Sequence, residues 1–175
     1  MEFRLENKVP MSAQELWQTV QTPGFDAFVA KELGLYPHMR LERESSGYLI
    51  RRRLSISLSN VGLPRITRKA ANKVLGGDEI VYEEIQGTHW DRFQMPWKIR
   101  PPVLTKKFHA SGVLRLAPID ESRCLRIMEG RIHVGLFAVG SLLERMIAEQ
   151  AKSISDQFSD LVTKWKYENA KCGRS

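Results

Sequence analysis

Cysteine is scarce in this sequence, with Cys124 and Cys172 the two present. One lies in strand-like sequence and one near the C-terminus, which gives neither a disulfide framework nor a metal-ligand spacing. A reducing, cytoplasmic compartment is therefore expected. No run of 18 or more apolar residues occurs, so no transmembrane helix is expected. The start, Met1-Glu2-Phe3-Arg4-Leu5-Glu6, goes straight into alternation and lacks the apolar core of a signal peptide or the Arg/Ser-rich stretch of a transit peptide. The histidines, His38, His89, His109 and His133, make no HExxH spacing, and neither a metal nor a cofactor is expected. There is no GxSxG elbow, no P-loop and no GxGxxG. The aromatic strand signature of an RNA-binding sheet is missing as well, which speaks against nucleic acid as the partner.

What the sequence has is positive charge. Lys and Arg number 27 against 20 Asp and Glu, a net charge of +7. The excess concentrates at residues 51–53, at Arg65, Arg68, Lys69 and Lys73, and at Lys98, Arg100, Lys106 and Lys107. Such a balance favours anionic partners, among them membrane headgroups. The 175 residues fit one domain, expected over 1–170 with 171–175 as a flexible tail. A chain of this length buries roughly 70% of the surface its unfolded form exposes. The apolar and charged fractions, 42% and 27%, are ordinary for a globular protein.

Hydrophobic periodicity gives the elements. Residues 3–9 alternate as a strand until Pro10. Ser12 and Glu15 have the spacing of a capping box and open a short helix through Leu16, Trp17 and Val20. Pro23-Gly24 should break it, and a second short helix should follow over about 25–33. Strands are expected at 39–44 and 48–58, joined by Ser45-Ser46-Gly47. In the second, Tyr48, Ile50, Leu54 and Ile56 share one face. Residues 64–75 carry Ile66, Ala70 and Val74 near helical spacing among four cations, and predict a basic amphipathic helix. Further strands are expected at 79–86, 89–95, 107–117 and 124–134, with a loop at 96–103 marked by three prolines. The longest signal spans 139–168, where Val139, Leu143, Ile147, Ile154, Phe158, Leu161, Val162 and Trp165 form one stripe of about eight turns. Glu144, Lys152, Asp156, Asp160 and Lys164 populate its other side. The sum is an α+β fold with an antiparallel sheet of about seven strands and one long C-terminal helix.

The last strand runs through glycine into the final helix as Glu129-Gly130-Arg131-Ile132-His133-Val134-Gly135-Leu136, then Gly140-Ser141-Leu142-Leu143-Glu144-Arg145-Met146-Ile147. With Trp165 near the helix end, this resembles the START-like, or SRPBCC, superfamily, and in particular a bacterial START-like family of unknown function. Asn60-Val61-Gly62-Leu63-Pro64-Arg65-Ile66 and Ile80-Val81-Tyr82-Glu83-Glu84 are also similar to the PRELI-type phospholipid carriers, which would imply the mitochondrial intermembrane space. The resemblance implies a helix-grip fold, a curved sheet wrapped round the long helix with an apolar ligand cavity between them. It implies no universal catalytic residue. Some relatives, of the polyketide cyclase kind, catalyse cyclisation or hydration, so fold alone does not decide function.

The expected function is the binding and transfer of a hydrophobic ligand such as a lipid, held in a cavity between the sheet and the C-terminal helix. Its cavity is expected to use Tyr48, Ile50, Arg52, Leu54, Ile56, Tyr82, Glu129, Leu143, Ile147, Ile154 and Phe158. Arg52 stands among apolar neighbours, where a cation must find a countercharge. It would anchor a headgroup, or form a structural pair with Glu84 or Glu129. Arg65, Arg68, Lys69, Lys73, Trp97 and Lys98 are expected to touch an anionic membrane, the Met95–Ile99 stretch as an exposed apolar loop within a basic rim. Two alternatives stand beside this reading. One is a cavity enzyme on a small apolar substrate, with Arg52, Glu84, Glu129 and Tyr82 as its titratable groups. The other is a protein-interaction scaffold.

Overall fold

Period-two alternation sorts each strand into an inner and an outer face, and the structure can be followed from that rule. The structure, a computed structural model, describes residues 1–33, 39–46, 49–57, 79–87, 93–100, 106–137 and 140–172. In β1 (Glu2–Val9), Phe3, Leu5, Asn7 and Val9 point inward while Glu2, Arg4, Glu6 and Lys8 meet solvent. Helices α1 (Ala13–Thr19) and α2 (Pro23–Glu32) follow. Then come β2 (Met39–Ser46), β3 (Leu49–Ser57), β4 (Glu79–Gly87), β5 (Gln94–Arg100), β6 (Phe108–Asp120) and β7 (Arg123–Val134). The long helix α3 (Gly140–Cys172) ends the described chain. The seven strands form one antiparallel sheet in the order β1-β7-β6-β5-β4-β3-β2. The helix-grip expectation thus holds: an antiparallel sheet with β1 at one edge and β2 at the other, and one long helix lying over the β1–β7 side.

Local chemistry sets the helix ends. Ser12 caps α1, its Oγ accepting the Glu15 N–H at 3.2 Å. Thr22 caps α2 in the same way, accepting the Phe25 N–H at 3.2 Å. The break expected at Pro23-Gly24 is present, since α1 ends at Thr19, and Pro23 itself begins α2. At the first helical position its missing N–H costs nothing and its fixed φ suits the turn.

The expected loop at 96–103 is corrected at its start, where Gln94–Arg100 is strand β5, between β4 and β6. Pro96 is tolerated because pairing with β4 runs from Trp97 to Arg100 and leaves Pro96 outside that ladder. Phe93 enters the strand at φ 47°, an uncommon left-handed conformation for a bulky residue. It is held by the Leu116 N–H on its carbonyl at 3.0 Å and by edge-on contact with Trp17 at 6.1 Å. The basic helix expected at 64–75 and the expected strand start at 89–92 lie outside the described residues.

The core has a sealed end. Phe25 of α2 meets Phe158 at 6.1 Å and Trp165 at 5.4 Å, both edge to face, and Phe28 meets Trp165 at 5.3 Å. Beneath them Val9, Met11, Leu16, Trp17, Cys124 and Val162 are almost wholly buried. Each aromatic pair adds about 0.5–1.5 kcal/mol beyond its burial.

Candidate functional site

The stripe of α3 behaves differently along its length. From Ser155 through Val162 its inward residues Ser155, Phe158, Leu161 and Val162 are buried. From Leu143 to Ile154 the inward residues Leu143, Ile147, Ala148 and Ile154 are only half-buried, although they belong to the same apolar stripe. The sheet shows the matching pattern. On the inner face of β7, Cys124, Arg126, Ile132 and Val134 are buried, whereas Met128 and Gly130 between them are half-buried. Phe3 and Leu5, their partners on β1, are half-buried too. The first half of α3 and the middle of the β1–β7 inner face therefore leave apolar surface incompletely covered.

A row of register partners crosses this zone: Trp97, Gly112, Gly130 and Phe3 on β5, β6, β7 and β1. Trp97 lies across the two glycines and stacks on Phe3 at 6.1 Å. A Cβ on Gly130 would stand 2.5 Å from the Trp97 ring, so the absence of a side chain makes room for the indole. Trp97 is 5% exposed, and its Nε1–H is buried without a hydrogen-bond partner among the described residues. That placement corrects the expected membrane contact at Trp97: alternation in β5 turns Met95, Trp97 and Ile99 inward and leaves Lys98 exposed on the outer face.

Two residues expected in the cavity are re-sited or explained. Glu129 has odd parity on β7 and stands on the outer face. There it accepts from Arg115 at 2.5 Å and pairs with Arg4. The glutamate is thus part of a solvated ion-pair row, not of the space under α3. Arg52 is on the inner side of β3, and Asp26 in the first turn of α2 meets it at 3.3 Å, with their side chains 16% and 9% exposed. Its Nη2 also donates to the Val20 carbonyl at 3.4 Å. This pair answers the charge problem at Arg52 with a partner from α2 that sequence spacing did not suggest, and fastens α2 to β3.

Ile50 is buried in the inner face of β3. The side chains of Leu54, Ile56, Tyr82 and Glu84 lie outside the description, but the register sets Leu54 opposite Tyr82 and Arg52 opposite Glu84. Tyr48, Arg65, Arg68, Lys69 and Lys73 lie outside the described residues. Glu144, expected on the solvated side of the long helix, instead turns to the sheet. It accepts the Val134 N–H at 2.7 Å and lies 3.3 Å from the Met1 ammonium, and the Val134 bond holds its carboxyl below the usual range.

The residue that sequence reading passed over is Arg126. It sits on the inner face of β7 and is 8% exposed. Its guanidinium lies over the Phe158 ring at 4.4 Å. Nη1 donates to Ser155 Oγ at 3.3 Å and to Asn7 Oδ1 at 3.5 Å, and Nη2 approaches Met128 Sδ at 3.9 Å. Ser155 in turn donates to Asn7. Burial draws the Arg126 guanidinium down to about 10, which leaves it charged at neutral pH. The signal in the sequence was parity: Ile132 and Val134 face inward, and stepping back by twos arrives at Arg126. Leu125 and Ile127 hid it by making both faces look apolar.

Among the described residues no group of three His, Cys, Asp or Glu could hold a metal ion. No helix among them is long and apolar enough to cross a membrane. Burial pushes the Cys124 thiol up to about 11, so it is neutral and unreactive at physiological pH.

Solved structures of similar fold cover nearly the whole chain. A START superfamily protein from Mycobacterium smegmatis superposes with a TM-score of 0.59 at 13% identity, over 94% of this chain and 98% of its own. The Zhui aromatase/cyclase from Streptomyces sp. R1128 gives 0.59 at 14% identity, over 92% and 91%. A point mutant of norcoclaurine synthase from Thalictrum flavum, in complex with a transition-state analogue, gives 0.60 at 18% identity, over 95% and 96%. At these identities the likeness establishes the START-like fold and not an activity. No curated protein matches the sequence. Residues 4–165 match the model of the family described as protein of unknown function (DUF2505), and the chain belongs to that family.

Proposed function

We propose that this protein binds a hydrophobic ligand of lipid type between the inner face of the sheet and the first half of α3, as a carrier or sensor without chemistry of its own. The observation that carries the reading is the half-buried stripe at Leu143, Ile147 and Ile154 on a helix that packs over β1 and β7, where Phe3, Leu5 and Met128 are half-buried as well. Apolar surface on both walls of one interface gains free energy when an apolar body fills it, about 0.8 kcal/mol for each buried methylene. Ile50 and Phe158 would extend these walls toward β3 and toward the sealed end. The net charge of +7 supports peripheral contact with an anionic membrane, through Arg65, Arg68, Lys69, Lys73 and Lys98.

The test is native mass spectrometry with lipid extraction, followed by calorimetry with a series of straight-chain alcohols. One bound lipid per chain, and an affinity rising about fourfold per methylene, is the expected result. An empty protein that takes up none of the alcohols overturns the reading.

A cavity enzyme is the second reading, favoured by the fold likeness to the aromatase/cyclase and to norcoclaurine synthase. Of its expected titratable groups, Glu129 lies on the outer face and Arg52 is engaged by Asp26. Neither is disposed for acid–base work under α3, and the preference for binding rests on the half-buried apolar walls.

A further inference from the structure

We propose that Arg126 is the anchor for the carboxylate of a fatty-acid-like amphiphile, whose alkyl chain lies toward Met128 and Gly130 under the first half of α3. This inference rests on the ligand-binding reading and adds to it the head group and its position.

The argument begins with a cost. A buried cation without a countercharge loses its hydration and gets no Coulombic return, and proteins seldom keep one. Arg126 has no carboxylate partner among the described residues. Its neighbours are a hydroxyl, an amide oxygen, a thioether and a phenyl face. A guanidinium carries five N–H donors. The contacts it makes here are long, at 3.3, 3.5 and 3.9 Å, so the fork is held in place but poorly satisfied. An incoming carboxylate could accept two parallel bonds from it and supply the missing charge at once.

Position agrees with this chemistry. Arg126 stands at the border between the two halves of α3: Phe158 and Ser155 belong to the sealed end, and Met128 begins the half-buried stretch. From Arg126 to Gly130 along β7 is about 13 Å at the rise of an extended strand. A chain leaving the guanidinium in that direction would run beneath Ile147 and Ile154 and reach the Trp97–Phe3 pair. One guanidinium among uncharged neighbours matches one negative charge. A phosphate monoester, at about −1.5 to −2 near neutrality, would bring an excess.

The test is calorimetry on the full chain at pH 8 with sodium dodecanoate, dodecanol and sodium acetate. Wild type is expected to bind dodecanoate at least tenfold more tightly than dodecanol, and acetate not measurably. Arg126→Met should remove the preference while changing dodecanol affinity less than twofold. It should also raise the urea midpoint of the empty protein, because the uncompensated charge is gone. If that variant does not fold, Arg126→Gln serves the same comparison. A wild type that binds both amphiphiles equally, a preference that survives loss of the guanidinium, or acetate binding as tightly as dodecanoate overturns the anchor and leaves the ligand reading standing. A wild type that binds neither amphiphile overturns both.

Discussion

The two halves of α3 carry the same kind of apolar stripe and meet different company. Beyond Ser155, Phe158, Leu161 and Val162 are pressed against α2 and the sheet, and Trp165 is caught between Phe25 and Phe28. Before it, Leu143 and Ile147 touch the core yet stay half-buried, and Ile154 is half-buried too. Period alone gives both halves one reading, since a stripe records which side of a helix is apolar and not what fills the space opposite. The difference lies in the partner. Aromatic rings on α2 close one end, while along β7 the inner face at the other holds half-buried Met128 and a Gly130 over which Trp97 lies.

The largest way to break this contrast is to empty each end in turn. Phe25→Ala should cost about 3–5 kcal/mol in urea denaturation, since a large buried ring is lost from a packed cluster. Ile147→Ala should cost about 1 kcal/mol and show itself instead as weaker dodecanol binding. Equal losses at both positions would mean that the first half of α3 is packed like the second. A middle-sized effect lies at the fastening of α2. Asp26→Asn takes one carboxylate away from the half-buried Arg52 guanidinium, and should cost about 2–3 kcal/mol. Arg52→Met in the same chain should recover most of that, as measured by the same denaturation. No recovery would show that the pair is not what ties α2 to β3.

The smallest effect is a matter of access. In a Cys172→Ser background Cys124 should resist iodoacetamide at pH 8, its thiol buried and raised to about 11, while an Ile147→Cys chain should label readily and be protected by dodecanol. The sign of the linked pH dependence follows. The fold favours the neutral thiol, so its contribution is complete below pH 9 and declines as pH rises toward 11, and Cys124→Ala should flatten that decline. Rapid labelling of Cys124 at pH 8 would erase the distinction between a sealed and an open end.

Much of the architecture was legible. The alternation in β1, β3 and β7, the Ser12 cap and the long stripe of α3 are local patterns, and local patterns survive in one sequence. What was not legible is what depends on register between distant strands. Arg52 finds Asp26 across 26 positions, as the two numbers differ (52 − 26), and no spacing rule links them. Glu129 was expected to line the cavity, and one step of parity places it on the solvated face. Trp97 looked like a loop residue because of Pro96. Pairing with β4 that begins only after the proline makes it a strand residue instead. Arg126 was hidden by flanking leucine and isoleucine on the opposite face.

Gly112 and Gly130 sit side by side beneath Trp97, yet they constrain the future of the sequence in unlike ways. A Cβ at Gly130 meets side-chain atoms, those of Trp97 at 2.5 and 2.9 Å and of Phe3 at 3.0 Å. A Cβ at Gly112 meets backbone, the Glu129 carbonyl oxygen at 1.9 Å and the Gly130 Cα at 2.7 Å. The first prohibition is conditional and lapses once a smaller residue replaces Trp97. The second has no such remedy, because a backbone cannot be traded for a smaller one. Divergence at this row therefore has an order: Trp97 must shrink before Gly130 can grow, and Gly112 stays out of reach on either path.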